Sequence, residues 1–208
     1  VSGDFYWALE KEDYLYLAAA DCTGHGVPGA FLTLLGTSFL NEINALDKVF
    51  TPAEILNQLR NKIVKELSNQ NKTRDGMDIS LIRINLKTFE ALWAGAYNPL
   101  WVINKEEEFI EITADKQPVG YSEIMTDFKD NKLLLSKGDM VYLFTDGYAD
   151  QFGGRNGKKF KYKQFQELLI TSIHLPMTRQ EEILAQTFNE WRGSLEQVDD
   201  VCVIGVRV

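Results

Sequence analysis

The first 21 residues restrict the fold most, because they predict a β-hairpin whose register follows from counting. Two runs rich in aromatic and apolar residues, 5–10 and 14–20, flank a short charged turn. Such runs around a turn are typical of paired antiparallel strands. With the turn centred between Glu12 and Asp13, Asp4 lies opposite Asp21. The sequence therefore predicts two carboxylates side by side at the open end of this hairpin.

The rest of the chain alternates helical and strand patterns without a convincing linker. Apolar residues at helical spacing follow the glycine-rich loop 24–29 and the Thr51–Glu54 capping box, which predicts two helices. Residues 79–112 form short alternating runs typical of an antiparallel meander. The other predicted elements are a strand at 140–145, helices at 165–173 and after a capping box at 178–181, and a strand at 201–208. This pattern favours an α+β fold in which helices cover antiparallel sheets.

Composition narrows the class of protein. The net charge of -8 disfavours a nucleic-acid binder, because that affinity depends on Lys and Arg. No apolar stretch approaches the roughly 18 residues of a membrane span, so we expect no membrane insertion by this domain. The two cysteines, Cys22 and Cys202, are too few for a disulfide framework and indicate a reducing cytoplasm. We expect one soluble cytoplasmic domain over residues 1–208, as the C-terminal catalytic part of a longer regulatory protein.

Four aspartates lie where predicted strands begin or end: Asp4, Asp21, Asp146 and Asp199. If the sheets bring them together, their charges repel by about 4 kcal/mol per pair at about 4 Å and an effective dielectric of about 20. Such a cluster requires protons or cations, and oxygen-only ligands select Mg²⁺ or Mn²⁺. The alternative is that these aspartates only cap turns, and spacing alone leaves both interpretations open.

Four motifs together resemble the PPM metal-dependent protein phosphatases, and most of all their bacterial SpoIIE branch. They occur in the order and spacing of that family: SGDFYW (2–7), DCTGHGVPGAF (21–31), LFTDGYAD (143–150) and VDDVCVIGV (198–206). The segments AGAYNPLWVI (94–103) and QPVGY (117–121) extend the resemblance over nearly the whole chain. The resemblance implies an α/β/β/α sandwich of two antiparallel sheets, with a binuclear metal site at one edge.

The resemblance also implies roles for individual residues. Asp21 is similar to the carboxylate that bridges both ions, and Asp4 to the acid that holds the second ion. The other implied metal ligands are the carboxylates of Asp146 and Asp199 and the backbone carbonyl of Cys22. Asp200 is implied to support these ligands without binding a metal ion itself. His25 is implied as a candidate acid that protonates the leaving group. The aspartates of the motif DGMD (75–78) stay unassigned.

The implied reaction is hydrolysis of phosphoserine or phosphothreonine on a regulatory protein, by a water that two Mn²⁺ or Mg²⁺ ions activate. Within the branch, the implied substrate is a small anti-anti-sigma protein of STAS type, and the implied partner is an upstream sensor or regulatory domain. One alternative is a catalytically silent module that binds a phosphoprotein. Another is a two-metal nuclease or phosphodiesterase, which suits the acidic net charge poorly.

Two further motifs have competing interpretations. Cys22 followed by TGHGVPG is similar to the loop of cysteine-dependent phosphatases, but the required arginine six residues later is replaced by Pro28. We therefore expect no nucleophilic role for the Cys22 thiol. The segment 153–163, expected as a mobile surface loop or flap, carries a run of five basic residues. This run either steers an acidic phosphoprotein toward the site or is a solvated loop.

Overall fold

The computed structural model describes residues 2–24, 26–67 and 75–208. The strands are β1 (Asp4–Lys11), β2 (Tyr14–Cys22), β3 (Gly76–Asn85), β4 (Glu90–Ala96), β5 (Leu100–Ile103), β6 (Phe109–Ile112), β7 (Val119–Gly120), β8 (Asn131–Leu134), β9 (Met140–Phe144), β10 (Phe152–Gly153), β11 (Lys158–Lys159) and β12 (Val203–Arg207). The helices are α1 (Val27–Asn44), α2 (Pro52–Leu67), α3 (Gly147–Asp150), α4 (Lys161–Ser172) and α5 (Met177–Arg192).

Two antiparallel sheets form the centre of the molecule. The first sheet has the strand order β1-β2-β3-β4-β8, with β7 paired to one end of β3. The second sheet has the order β12-β9-β5-β6. Helices α1 and α2 cover the outer face of the first sheet, and α4 and α5 cover that of the second. The predicted α/β/β/α sandwich is confirmed.

Three apolar layers hold the sandwich together. Leu40, Ile55 and Leu59 from the first helix pair pack on the first sheet. Trp93 from the first sheet and Leu143 from the second meet between the sheets. A third layer of mostly aromatic side chains joins the second sheet to α4 and α5. In the part of the chain that the structure describes, no helix combines the length and apolarity needed to cross a bilayer.

Two local sequence patterns in the N-terminal part of the chain, the first hairpin and the capping box, form the structures predicted for them. Strands β1 and β2 pair with Asp4 opposite Asp21, so the register obtained by counting is confirmed. The Thr51 hydroxyl accepts from the Glu54 amide at 3.3 Å, and the Glu54 carboxylate accepts from the Thr51 amide at 2.8 Å. This reciprocal capping box starts α2 at Pro52.

The predicted meander over residues 79–112 is wrong in one respect. Strands β3 and β4 pair in the first sheet, but the chain then crosses to the second sheet, where β5 pairs with β6 and β9. The crossing follows Tyr97, whose φ of 55° turns the backbone sharply after Ala96. Alternating apolar residues satisfy either arrangement, so the pattern did not distinguish a hairpin from a change of sheet.

Three boundaries near the C-terminus also differ from prediction. Helix α4 starts at Lys161, four residues early, and α5 starts at Met177 after Pro176, without the side-chain cap predicted for 178–181. The predicted loop at 153–163 is instead the short hairpin β10–β11 followed by the first turn of α4. The final strand is shorter than predicted, at Val203–Arg207.

Candidate active site

Three carboxylates form one row across neighbouring strands of the first sheet. Asp4 pairs with Asp21, and Asp21 pairs with Asp78 on β3. Directly opposed residues share a face of a sheet. The neighbours Ala20 and Cys22 point to the helix side, and side chains alternate along a strand. The row therefore faces the second sheet.

The second sheet contributes acidic residues to the same region. Asp146 follows β9 and precedes the single-turn helix α3. Asp199 and Asp200 lie in the loop before β12, where the Asp200 amide donates to the Asp199 carboxylate at 2.8 Å. A Cβ on Gly147 would lie 1.9 Å from the Asp200 carbonyl oxygen, so only glycine permits this approach.

The Thr145 hydroxyl connects the two sheets at the site. It donates to the Asp4 carboxylate at 2.5 Å and accepts from the Cys202 amide at 2.9 Å. A second connection runs from the Gly3 amide to the Asp200 carboxylate at 2.8 Å. These bonds fix β1 against the ends of β9 and β12. The sequence analysis missed Thr145, although the residue lies inside the LFTDGYAD motif.

Four of these acidic residues line one cleft of about 650 Å³ at the edge of the sandwich. Its lining includes Asp21, Asp78, Asp199 and Asp200, together with the loop that leads from β2 to α1. Asp4 and Asp146 act on Asp21 electrostatically from the two sides of this cleft. The structure thus brings the predicted aspartates of both sheets to one place. It also brings Asp78, which the sequence analysis named but did not assign.

Burial and mutual repulsion dominate the electrostatics of the cleft. Burial raises the pKa of the Asp21 carboxyl, and the charges of Asp4, Asp146 and Asp199 raise it further. Burial also raises the pKa of Asp4, although hydrogen bonds with Thr145 and Asp21 oppose this rise. For Asp78, burial followed by the charge of Asp146 raises the pKa to about 7. Each of these carboxyl groups holds its proton more tightly than it would in water.

The donor set suits hard divalent cations, because carboxylate and carbonyl oxygens are the ligands that Mg²⁺ and Mn²⁺ prefer. Within residues 2–24, 26–67 and 75–208, no three His, Cys, Asp or Glu side chains already form a compact coordination set. The carboxyl groups nevertheless lie close enough to raise one another's pKa. A cation bound among them would offset the repulsion between their charges.

Two other predicted residues need separate comment. The Cys22 side chain is buried on the helix side of the first sheet, and its pKa is raised to about 12 by burial. A thiol held in this state is a poor nucleophile, in agreement with the sequence analysis. Its backbone lies at the cleft, where the carbonyl role remains a prediction. His25 lies outside the described residues, and its role also remains a prediction.

Comparison with known proteins identifies the family. Residues 11–208 match the family described as Stage II sporulation protein E (SpoIIE). The chain belongs to the SpoIIE family. The resemblance inferred from the four sequence motifs is therefore confirmed.

One curated relative of this SpoIIE-family chain is a phosphatase by name, and solved structures share its fold. The phosphoserine phosphatase RsbU of Bacillus subtilis is 25% identical over 154 residues, which cover 72% of this chain and 43% of RsbU. The SiaA-PP2C domain of Pseudomonas aeruginosa is 30% identical with a TM-score of 0.90, over 100% of this chain and 81% of that one. RsbX in complex with magnesium has a TM-score of 0.67 at 14% identity, over 99% of this chain and 86% of that one.

These matches agree with the fold described above. The SpoIIE-family chain has the structure of a PP2C-type serine/threonine phosphatase domain. It spans less than half the length of the curated relative RsbU. The likeness to RsbX, at 14% identity, concerns the fold alone.

Proposed function

We propose that this chain hydrolyses phosphoserine or phosphothreonine on a regulatory protein, with water as the nucleophile and divalent cations as cofactors. The observation that carries the proposal is the convergence of aspartates from both sheets on one cleft, in a chain of the SpoIIE family. The pKa values of these carboxyl groups are raised by burial and by one another, and a bound divalent cation would offset the negative charge that gathers there.

The proposed metal-site residues are those of the sequence analysis: the carboxylates of Asp4, Asp21, Asp146 and Asp199 and the backbone carbonyl of Cys22, with Asp200 behind them. Asp21 is proposed as the bridging ligand, because its carboxyl interacts with acids from both sheets. When bound, two Mn²⁺ or Mg²⁺ ions supply Lewis acidity, toward water as nucleophile and toward the phosphoryl oxygens. Asp200 holds the N-terminal segment through the Gly3 amide and so keeps Asp4 in place.

The substrate and cellular context form the finer part of the proposal. RsbU is named a phosphoserine phosphatase, which supports a phosphoserine substrate here. An anti-anti-sigma protein of STAS type is the substrate class that the resemblance to the SpoIIE branch implies, and we keep it as part of the proposal. RsbU is also longer than this domain, which supports a domain over residues 1–208 that an attached sensor or regulatory domain controls. A cytoplasmic location is also part of the proposal.

The decisive experiment is turnover with metal against turnover with chelator. We expect Mn²⁺-dependent hydrolysis of an aryl phosphate and of a phosphoserine protein, and loss of both activities in EDTA. The protein should also melt at a higher temperature with Mn²⁺, by roughly 5–10 °C at 100 times the dissociation constant.

The silent binding module predicts a different outcome. In that case the protein would bind a phosphoprotein but release no phosphate at any Mn²⁺ or Mg²⁺ concentration. A melting curve that does not move across millimolar Mn²⁺ would argue against a cation site formed by these carboxylates. Cleavage of a nucleic acid without phosphoprotein turnover would instead favour the nuclease alternative.

A further inference from the structure

The segment from Gln151 to Lys163, here called the basic hairpin, concentrates positive charge in an acidic chain. It contains five basic residues and no acidic residue, while the whole chain has a net charge of -8. Strands β10 and β11 pair within it, and the helix α4 begins at its end. All five basic side chains are exposed: Arg155, Lys158, Lys159, Lys161 and Lys163.

The basic hairpin is anchored to the body of the domain through α5. The Gly154 amide donates to the Trp191 carbonyl at 2.7 Å, and the Trp191 indole donates to the Gln151 carbonyl at 3.1 Å. A Cβ on Gly153 would lie 1.9 Å from the Trp191 carbonyl oxygen. The hairpin therefore packs against this helix, and its basic side chains extend from a fixed support.

The basic hairpin adjoins the acidic cleft. The Lys159 ammonium lies 2.6 Å from the carboxylate of Asp150, which ends the short helix after Asp146. Burial raises the pKa of Asp146, and the charge of Lys159 opposes that rise. From the same segment, Tyr162 has its pKa raised to about 12 by burial and then by Asp146. The ion pair with Asp150, four residues after Asp146, places the hairpin beside the proposed site.

Among the described residues, four of the five cations have no ionic partner. Only Lys159 forms an ion pair, and no carboxylate of the described residues lies within 4.0 Å of the charged groups of Arg155, Lys158, Lys161 or Lys163. Like charges held together on one support repel one another. A partner of opposite charge relieves that repulsion and is steered toward the surface that carries it.

We propose that the basic hairpin docks an acidic segment of the substrate protein next to its phosphorylated residue. This inference rests on the proposed phosphatase function. It adds that substrate choice depends on charge outside the phosphoryl group. The cations that recognise the acidic segment are the four without an internal partner, because Lys159 is already bound to Asp150.

The test compares two phosphoserine peptides, one with Asp and Glu around the phosphoserine and one with Asn and Gln in their place. The variant replaces the four unpaired cations with glutamine: Arg155→Gln, Lys158→Gln, Lys161→Gln and Lys163→Gln. The control variant removes the same charge from exposed lysines outside the hairpin: Lys87→Gln, Lys105→Gln, Lys132→Gln and Lys137→Gln. Aryl phosphate turnover with Mn²⁺ measures the chemistry without docking.

We expect the hairpin variant to raise KM for the acidic peptide about tenfold, with kcat and aryl phosphate turnover within about twofold of the wild type. The preference for the acidic peptide should also shrink as salt increases. An unchanged KM in the hairpin variant, or an equal rise in the control variant, would overturn the inference. If the wild type binds phosphatidylserine vesicles and the hairpin variant does not, while KM is unchanged, the hairpin binds a membrane surface. That result would overturn the inference as well.

The outcomes separate this inference from the proposed function. If aryl phosphate turnover persists while KM is unchanged, only the docking role fails. If the wild type hydrolyses no substrate with Mn²⁺, the phosphatase proposal fails, and fluorescence anisotropy with a labelled acidic phosphopeptide still measures docking. Equal affinity of the wild type and the hairpin variant in that assay would also refute the docking role.

Discussion

The two sides of the acidic cleft are built differently. On the first sheet, Asp4, Asp21 and Asp78 occupy register positions of three paired strands, so the backbone fixes their spacing. On the second sheet, Asp146 and Asp199 lie in the turns that flank β9 and β12, and the Asp200 amide donates to the Asp199 carboxylate. Strand pairing limits how far the row on the first sheet can spread, whereas Asp146 and Asp199 lie outside the paired strands.

This difference indicates that the acids of the two sheets contribute to the site in different ways. Strand pairing holds carboxylates at a spacing that disfavours their ionised forms, because directly opposed like charges destabilise a sheet. In the proposed function, bound cations would offset the cost of that arrangement. The acids in the turns on the other side would then supply the remaining proposed ligands. Variants on the two sides should therefore behave differently.

The largest effect is expected from Asp21→Asn compared with Asp199→Asn. We expect Asp21→Asn to lower aryl phosphate turnover by about 10³-fold or more and Asp199→Asn by less. Asp21 interacts with acids on both sides of the cleft, and losses beyond about 100-fold exceed those typical of outer residues of metal sites. Turnover at saturating Mn²⁺ measures both. Full activity of Asp21→Asn, or a greater loss in Asp199→Asn, would contradict the division between the two sides.

A smaller effect is expected at Thr145, which joins the two sides. Thr145→Val removes the bond to Asp4 and should lower the affinity for Mn²⁺ by about 10–100-fold, while Thr145→Ser should retain it. The Mn²⁺ concentration for half-maximal activity is the measurement. As a control, Thr171→Val removes a hydroxyl that bonds only within α4, and it should leave this concentration unchanged. Equal affinities in the valine and serine variants of Thr145 would refute the role of this hydroxyl.

A still smaller effect concerns the pH dependence of stability without metal. Asp78 has a pKa of about 7 in the folded protein and near its ordinary value of 3.8 when unfolded. Between these values the folded state binds more protons, so the stability contributed by this group rises as pH falls from about 7 toward 4. In EDTA, lowering the pH from 8 to 6 should therefore raise the melting temperature of the wild type by more than that of Asp78→Asn. Identical pH responses would rule out this contribution.

The smallest effect is expected from Cys22→Ser. This side chain lies on the outer face of β2, the strand that carries Asp21. The thiol points toward α1, where the Thr33 hydroxyl contacts its sulfur at 3.8 Å. Activity should stay within about twofold of the wild type, with a stability loss of about 1 kcal/mol. Turnover and a urea melt measure the two effects. A variant that folds but shows no activity would mean that the thiol takes part in the chemistry.

Local patterns in the sequence predicted much of the fold. The register of the first hairpin, and with it the Asp4–Asp21 pair, followed from counting across one short turn. The capping box at Thr51 correctly marked the start of α2, because both of its hydrogen bonds lie within four residues. The four motifs correctly indicated the SpoIIE family. The metal-site roles of the aspartates remain predictions.

Other features were decided only by tertiary structure. Asp78 joins the row because β3 pairs with β2 across more than 50 residues of sequence, and no local pattern fixes such a pairing. The change of sheet after Tyr97 and the bond from Thr145 to Asp4 depend in the same way on how the sheets pack. The sequence by itself determined the first hairpin, the start of α2 and which acids flank the predicted strands, since these depend on neighbouring residues. Only the tertiary structure decided which acids meet, because that depends on contacts between distant segments.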